Sequence, residues 1–250
     1  MTEAIAGRHG SRGQILVEAA IALPIAIFVV LGALQIMLVQ HGRAIAEYAA
    51  YCAARAGIVH DADHAVMRNA ALVAALPLYG RTDTLATFRD TWALARTNAL
   101  LGSSLSGVPL VDVEVTSPDA NAFAAAQAWQ YQHELDALSA DPQGPLAYQR
   151  LEIDFDDGAL MAAHPEAGRL ALTVRVLYPL RIPVIGRLIF EVWLLGAYLG
   201  GTPWAAELPA LHAIADASGV YLVPLRASYA MQMQSNPFAA NVASATWFGP

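Results

Sequence analysis

An α+β fold is predicted by three observations: a long uncharged run near the N-terminus, helical spacing of apolar residues through the middle, and strict apolar/polar alternation in several later runs. The uncharged run extends from Ala19 to Gly42, without a single Asp, Glu, Lys or Arg. As a helix at 1.5 Å per residue it measures roughly 36 Å, longer than the ~30 Å hydrocarbon core of a bilayer. The expected architecture is a long N-terminal transmembrane and stalk helix, followed by a domain of several helices packed on an antiparallel sheet.

The elements follow in order. Pro24 lies inside the run and removes one backbone hydrogen bond, the one to the carbonyl of Ala20, so a kink is expected there. Past Gly42 the helix continues to about Gly57. Arg43, Glu47, Tyr51 and Arg55 recur on one side, and Ile45, Tyr48, Ala49, Cys52, Ala56 and Val59 form an apolar stripe on another. Alanine dominates this stretch, which keeps helix propensity high and permits close approach of a neighbour. The last two turns of the stripe are expected to pack on the protein's own domain.

Asp61 or Asp63 caps a second helix reaching Leu76, where Pro77 and Gly80 stop it. Asp83 caps another to about Leu101, ended by Gly102 and a Ser/Gly-rich loop through Gly107. From Leu110 to Thr116 the period changes to two, with Val111, Val113 and Val115 opposite Asp112, Glu114 and Thr116: a half-buried strand. Ser117-Pro118-Asp119 reads as a helix start with serine as the cap, and that helix runs to about Ala140, before Asp141-Pro142.

The final third reads as sheet. Leu151, Ile153 and Phe155 alternate with Glu152, Asp154 and Asp156; Leu170, Leu172, Val174, Val176 and Tyr178 share a face; Tyr221, Val223, Leu225, Ala227, Tyr229, Met231 and Met233 alternate. One packed face is expected. Between the last two runs, residues 188–218 form an apolar insertion containing Trp193 and Trp204. Glu191, Gly200 and Gly201 interrupt it, so it reads as a helical excursion over the sheet and not as a second span.

The 250 residues carry a net charge of −7, and every basic residue is arginine. No basic field exists to hold nucleic acid. Cys52 is the single cysteine, so no internal disulfide is available. About 190 residues follow the helix, enough for one globular domain.

Charge placement at the mouth of the apolar run carries the most functional information. In Arg12-Gly13-Gln14-Ile15-Leu16-Val17-Glu18, one carboxylate stands at the edge of a membrane-length helix. An acid within a spanning segment costs about 2.5–3.5 kcal/mol on insertion scales. A cut after Gly13 supplies a partner, because the new amine of Gln14 lies one helical turn from Glu18. The pattern resembles a class IV prepilin. The fuller string Val17-Glu18-Ala19-Ala20-Ile21-Ala22-Leu23-Pro24 is similar to the start of TadE-like pseudopilins of the tight-adherence (Flp) pilus, with Ala19 where phenylalanine is usual. A strand ending in tyrosine-proline, a proline-rich bend and a last strand with small residues then methionine are loosely similar to the C-terminal part of that family.

The resemblance implies a prepilin-type leader at 1–13, a transmembrane and amphipathic stalk helix at 14–58 and a periplasmic α+β domain at 59–250. It implies cleavage between Gly13 and Gln14 by a prepilin peptidase, and neutralisation of the new amine by Glu18. It also implies anchoring in the inner membrane with the N-terminus cytoplasmic, and partnership with other pilins or pseudopilins and the pilus assembly platform. No cofactor is implied. The arginines flanking the run, Arg8 and Arg12 before it and Arg43 and Arg55 after it, are too balanced to set orientation alone. Two other readings of the segment remain open. An ordinary secretory signal would use Arg8 and Arg12 as its basic region and Ala44-Ile45-Ala46 as its cleavage site. An uncleaved single-span anchor presenting a periplasmic binding or metal-dependent domain explains the length but leaves Glu18 without a role.

Motifs for catalysis are sparse. His60, Asp63 and His64 have metal-ligand chemistry, and histidines four apart share a helical face, yet acids and histidines at a helix start are also ordinary caps. Asp154, Asp156 and Asp157 before Gly158 lack the rest of a calcium-loop pattern and read as an acidic strand edge. Gly102-Ser103-Ser104-Leu105-Ser106-Gly107 misses the nucleophile-elbow spacing. A non-enzymatic protein is expected.

Overall fold

A computed structural model describes residues 8–105, 108–138, 151–201 and 207–243. Residues 1–7 of the expected leader, Ser106 and Gly107, the helix end at Ala140 to Pro142, and Trp204 lie outside the described residues. The architecture is the expected α+β one, a long N-terminal apolar helix followed by helices and a three-stranded antiparallel sheet.

Helix α1 spans Arg8–Gly57 and runs through Pro24 as one element. Its surroundings change along its length. Every residue from Ile15 to Val30 is exposed; Gln35 is the first that is fully buried. Beyond Gly42 the buried side is Ala46, Ala49, Ala50, Ala53, Ala54 and Gly57. This corrects the stripe read from the sequence: Tyr48 and Val59 are exposed, while Ile45 and Cys52 are only half-buried. The helix turns its smallest side chains inward because the sheet comes very close. A methyl at Gly42 would stand 2.6 Å from the ring of Tyr178, and one at Gly57 would stand 2.5 Å from the sulfur of Met67 and 2.6 Å from Leu170.

Helix α2 (His64–Ala75) is capped by Asp63, whose carboxylate accepts from the amides of Ala65 and Val66. A 3₁₀ turn at Leu76–Leu78 ends it at Pro77. Helix α3 (Leu85–Leu105) has a reciprocal cap in which Thr84 and Thr87 bond each other's backbone amides. Asp83, the expected cap, instead accepts from the Thr87 hydroxyl and pairs with Arg81. The helix also passes through Gly102, so the expected loop begins later.

Strand β1 (Val111–Ser117) pairs antiparallel with β2 (Arg169–Pro179), Asp112 opposite Arg175 and Val115 opposite Leu172. Strand β3 (Leu222–Gln232) pairs on the other side of β2, Val174 opposite Ala227 and Tyr178 opposite Val223. Helix α4 (Ala120–Leu138) follows β1; its cap is Asp119, which accepts from Ala122, and not Ser117, whose hydroxyl donates to Glu166. Residues 151–157 are not a strand. Asp154 accepts from the amide of Asp156, and Asp157 caps the short helix α5 (Gly158–Ala163) by accepting from Ala159 and Leu160. Carboxylates that bond their own backbone compete with a ladder, and only an isolated bridge from Glu152 to Phe238 remains.

Leu170, Leu172, Val174, Val176 and Tyr178 form the fully buried sheet face, against α1. The opposite face is not wholly solvated as alternation implied, because Arg175 and Leu177 on it are buried too. The apolar insertion begins earlier than expected and is two helices, α6 (Pro183–Gly200) and α7 (Leu208–Ser218). Glu191 does not interrupt α6. It is exposed, one turn from the equally exposed Arg187, and Gly201 merely ends the helix. By length and composition α6, like α1, is long and apolar enough to cross a membrane. A five-residue helix α8 (Ala239–Ala243) closes the described chain.

Candidate functional site

The segment that carries the sequence-derived site residues is the first half of α1. Gly13 and Gln14 lie within its helical backbone, and Glu18 is exposed one turn later. From Ile15 to Leu34 the only ionisable group is Glu18 and the only proline is Pro24. This stretch is about 30 Å long at the helical rise, which matches the bilayer core. Ile15, Ile21, Leu23 and Val29 are 62%, 62%, 62% and 63% exposed respectively, so in the isolated chain nothing shields this surface from water. Water is not its medium.

The far end of the stretch is marked by a residue that sequence reading overlooked. Gln35 is the first polar residue after Glu18, it is fully buried, and its side-chain oxygen accepts from the backbone amide of Ile182 at 2.9 Å. The start of α6 is thereby fixed beside the exposed apolar surface of α1. Two turns further on, Arg43 and Glu47 form an exposed pair at 3.8 Å, so charged chemistry resumes where the domain begins.

The metal-ligand candidates do not converge. His60 Nδ1 bonds the carbonyl of Ala56 at 2.9 Å, Asp63 serves as the α2 cap, and His64 Nε2 bonds the carbonyl of Val113 at 3.0 Å. Among the described residues no group of three or more His, Cys, Asp or Glu is arranged to hold a metal ion.

A second feature escaped the sequence reading altogether. Arg175 is buried between Asp112, 3.5 Å away, and Glu207, to which it donates directly. Burial raises the Glu207 carboxyl above its ordinary value of 4.5, against the lowering influence of Arg175, and Asp112 adds to the rise. The cross-strand opposition of Asp112 and Arg175 was readable once the register was known. Glu207, which sits at the start of α7, carried no signal. A groove of about 700 Å³ lies nearby, lined by Tyr79, Leu110, Leu177, Pro179, Ile214 and Leu222 among others. It is mainly apolar. The Tyr79 hydroxyl donates to the carbonyls of Leu110 and Leu177, tying the strand ends together, and burial raises its pKa.

A family model described as TadE-like protein matches residues 13–55. The N-terminal segment is similar to that family. The match opens at Gly13, takes in Glu18, Pro24 and Gln35, and closes at Arg55, two residues before α1 ends. The matched segment therefore comprises the whole exposed apolar stretch together with most of the alanine-rich half that enters the core. The matched residues hold a helix that is long and apolar enough to cross a membrane. No curated protein and no solved structure matches the chain.

Proposed function

We propose that the chain is a minor pilin-like subunit acting in assembly of a tight-adherence pilus, made as a precursor and cut after Gly13 by a prepilin peptidase. Residues 1–13 are then the leader, the N-terminus faces the cytoplasm, the apolar part of α1 sits in the inner membrane, and the rest of the chain lies in the periplasm. The role is structural, without catalysis or cofactor. Its partners are other pilins or pseudopilins and the assembly platform. The observation that carries this reading is the position of Glu18, a lone acid at the lipid edge, one turn from a Gly13–Gln14 bond where the family match also begins. The ammonium released at Gln14, on the same subunit or on a neighbour in a helix bundle, cancels that charge and suits the N-terminal helix dipole.

The test is the pair Glu18→Ala and Glu18→Asp in cells that form the pilus. The alanine variant is expected to insert in the membrane at the normal level and to lose pilus assembly by tenfold or so, a barrier of about 1.4 kcal/mol. The aspartate variant is expected to retain part of it. Pilus yield at the normal level from Glu18→Ala contradicts the reading. The competing view, in which α1 is only a tether for a metal-dependent domain, rested on His60, Asp63 and His64, whose side chains are separately engaged.

A further inference from the structure

Helix α6 presents three different sides. Ile185, Phe190, Leu194 and Ala197 are buried against the domain. Arg187, Glu191 and Tyr198 form an exposed polar edge. Next to that edge, Val184, Leu188, Val192, Leu195 and Leu199 recur every three or four residues and make one continuous aliphatic face. They range from 48% exposed at Leu188 to 80% at Leu199. Scattered apolar residues on a surface need no explanation, but an aligned face of this kind does.

The structure indicates what covers it. The amide of Ile182, just before the helix, bonds Gln35 on α1, and α1 and α6 are in contact. Gln35 lies within the exposed apolar surface of α1, which begins at Ile15 and continues through Ile36, Met37 and Leu38. The aliphatic face of α6 therefore starts beside the exposed apolar surface of α1. We infer that α6 is an interfacial helix whose Val184–Leu199 face rests in the outer boundary of the same bilayer that α1 crosses. Its polar edge suits that position, since Arg187 and Tyr198 can extend toward headgroups while their stems stay apolar. Crossing the membrane as a second span is disfavoured: Arg187 and Glu191 would enter hydrocarbon, and Phe190 and Leu194 would leave the core they help to fill. The inference rests on the membrane anchoring of α1.

The experiment uses the full chain with Cys52→Ser, reconstituted in vesicles of phosphatidylethanolamine and phosphatidylglycerol. Single nitroxide labels are placed through Val192→Cys, Leu195→Cys, Ile27→Cys and Arg89→Cys, with circular dichroism to verify folding. Collision rates with oxygen and with a water-soluble nickel chelate are then compared. Labels at 192 and 195 are expected to resemble the label at 27, with an oxygen-to-nickel ratio about tenfold above that at the exposed position 89. Nickel access at 192 and 195 with lipid-like behaviour at 27 overturns the inference, leaving α1 anchoring intact. Exclusion of both reagents at 192 and 195 also overturns it, because a second copy or another protein then covers the face. Nickel access at 27 overturns the anchoring of α1 and the α6 inference with it.

Discussion

At the residue scale two charges placed in apolar surroundings are resolved differently. Glu18 has no cation on the adjoining turns of the apolar run, and the proposed cut after Gly13 would supply one; Arg175 has two acids at once. Removing Arg175 leaves Asp112 and Glu207 buried together. Arg175→Met is therefore expected to cost about 3–5 kcal/mol, measured by thermal or denaturant unfolding of the detergent-solubilised chain. Glu207→Gln keeps a hydrogen-bond acceptor for Arg175 while deleting the charge. Because the folded state holds the Glu207 proton more tightly than the unfolded one, stability falls as pH rises from the ordinary value of 4.5 through the raised one. Glu207→Gln should therefore gain stability relative to the native chain across that window. An unchanged difference between the two from pH 4 to pH 8 contradicts the assignment. None of this was legible in the sequence, since Asp112 and Arg175 both occupy positions that strict alternation assigns to water.

At the element scale, much was legible because the periodicity was clean. Leu170, Leu172, Val174, Val176 and Tyr178 recur at every second position, and every one of the five is buried. The capping of α2 by a carboxylate was readable as well, with Asp61 or Asp63 before a helical pattern, and the cap is Asp63. Residues 151–157 misled, because their alternation is equally clean while their aspartates bond the local backbone. The face of α1 also misled. Large residues such as Tyr48 look like core by hydrophobicity, but the spacing between α1 and the sheet admits only alanine and glycine. Gly42→Val tests this packing directly. The added carbon meets the Tyr178 ring at 2.6 Å, so a loss of about 1–3 kcal/mol is expected by thermal unfolding. The same substitution at Gly32, where nothing lies within 4 Å, is expected to leave domain stability unchanged.

At the scale of the whole molecule, α1 has two halves with different solvents. Its first half is an apolar rod exposed on all sides, and its second half is part of the domain core, packed on α2, β2 and β3. No separate stalk intervenes, so a force on the membrane helix is delivered straight into the sheet. If the helix serves only as a tether, exchanging residues 15–34 for an unrelated apolar helix should preserve function. If it is the assembling part, that exchange should abolish pilus assembly while the domain stays folded. The decisive measurement is nevertheless chemical: mass spectrometry of the N-terminal peptide of the chain recovered from cells with an active prepilin peptidase. The proposed function predicts a chain beginning at Gln14, as free or cyclised glutamine or with a methylated amine. A chain still carrying residues 1–13, or one beginning at Ala44 or later, contradicts it.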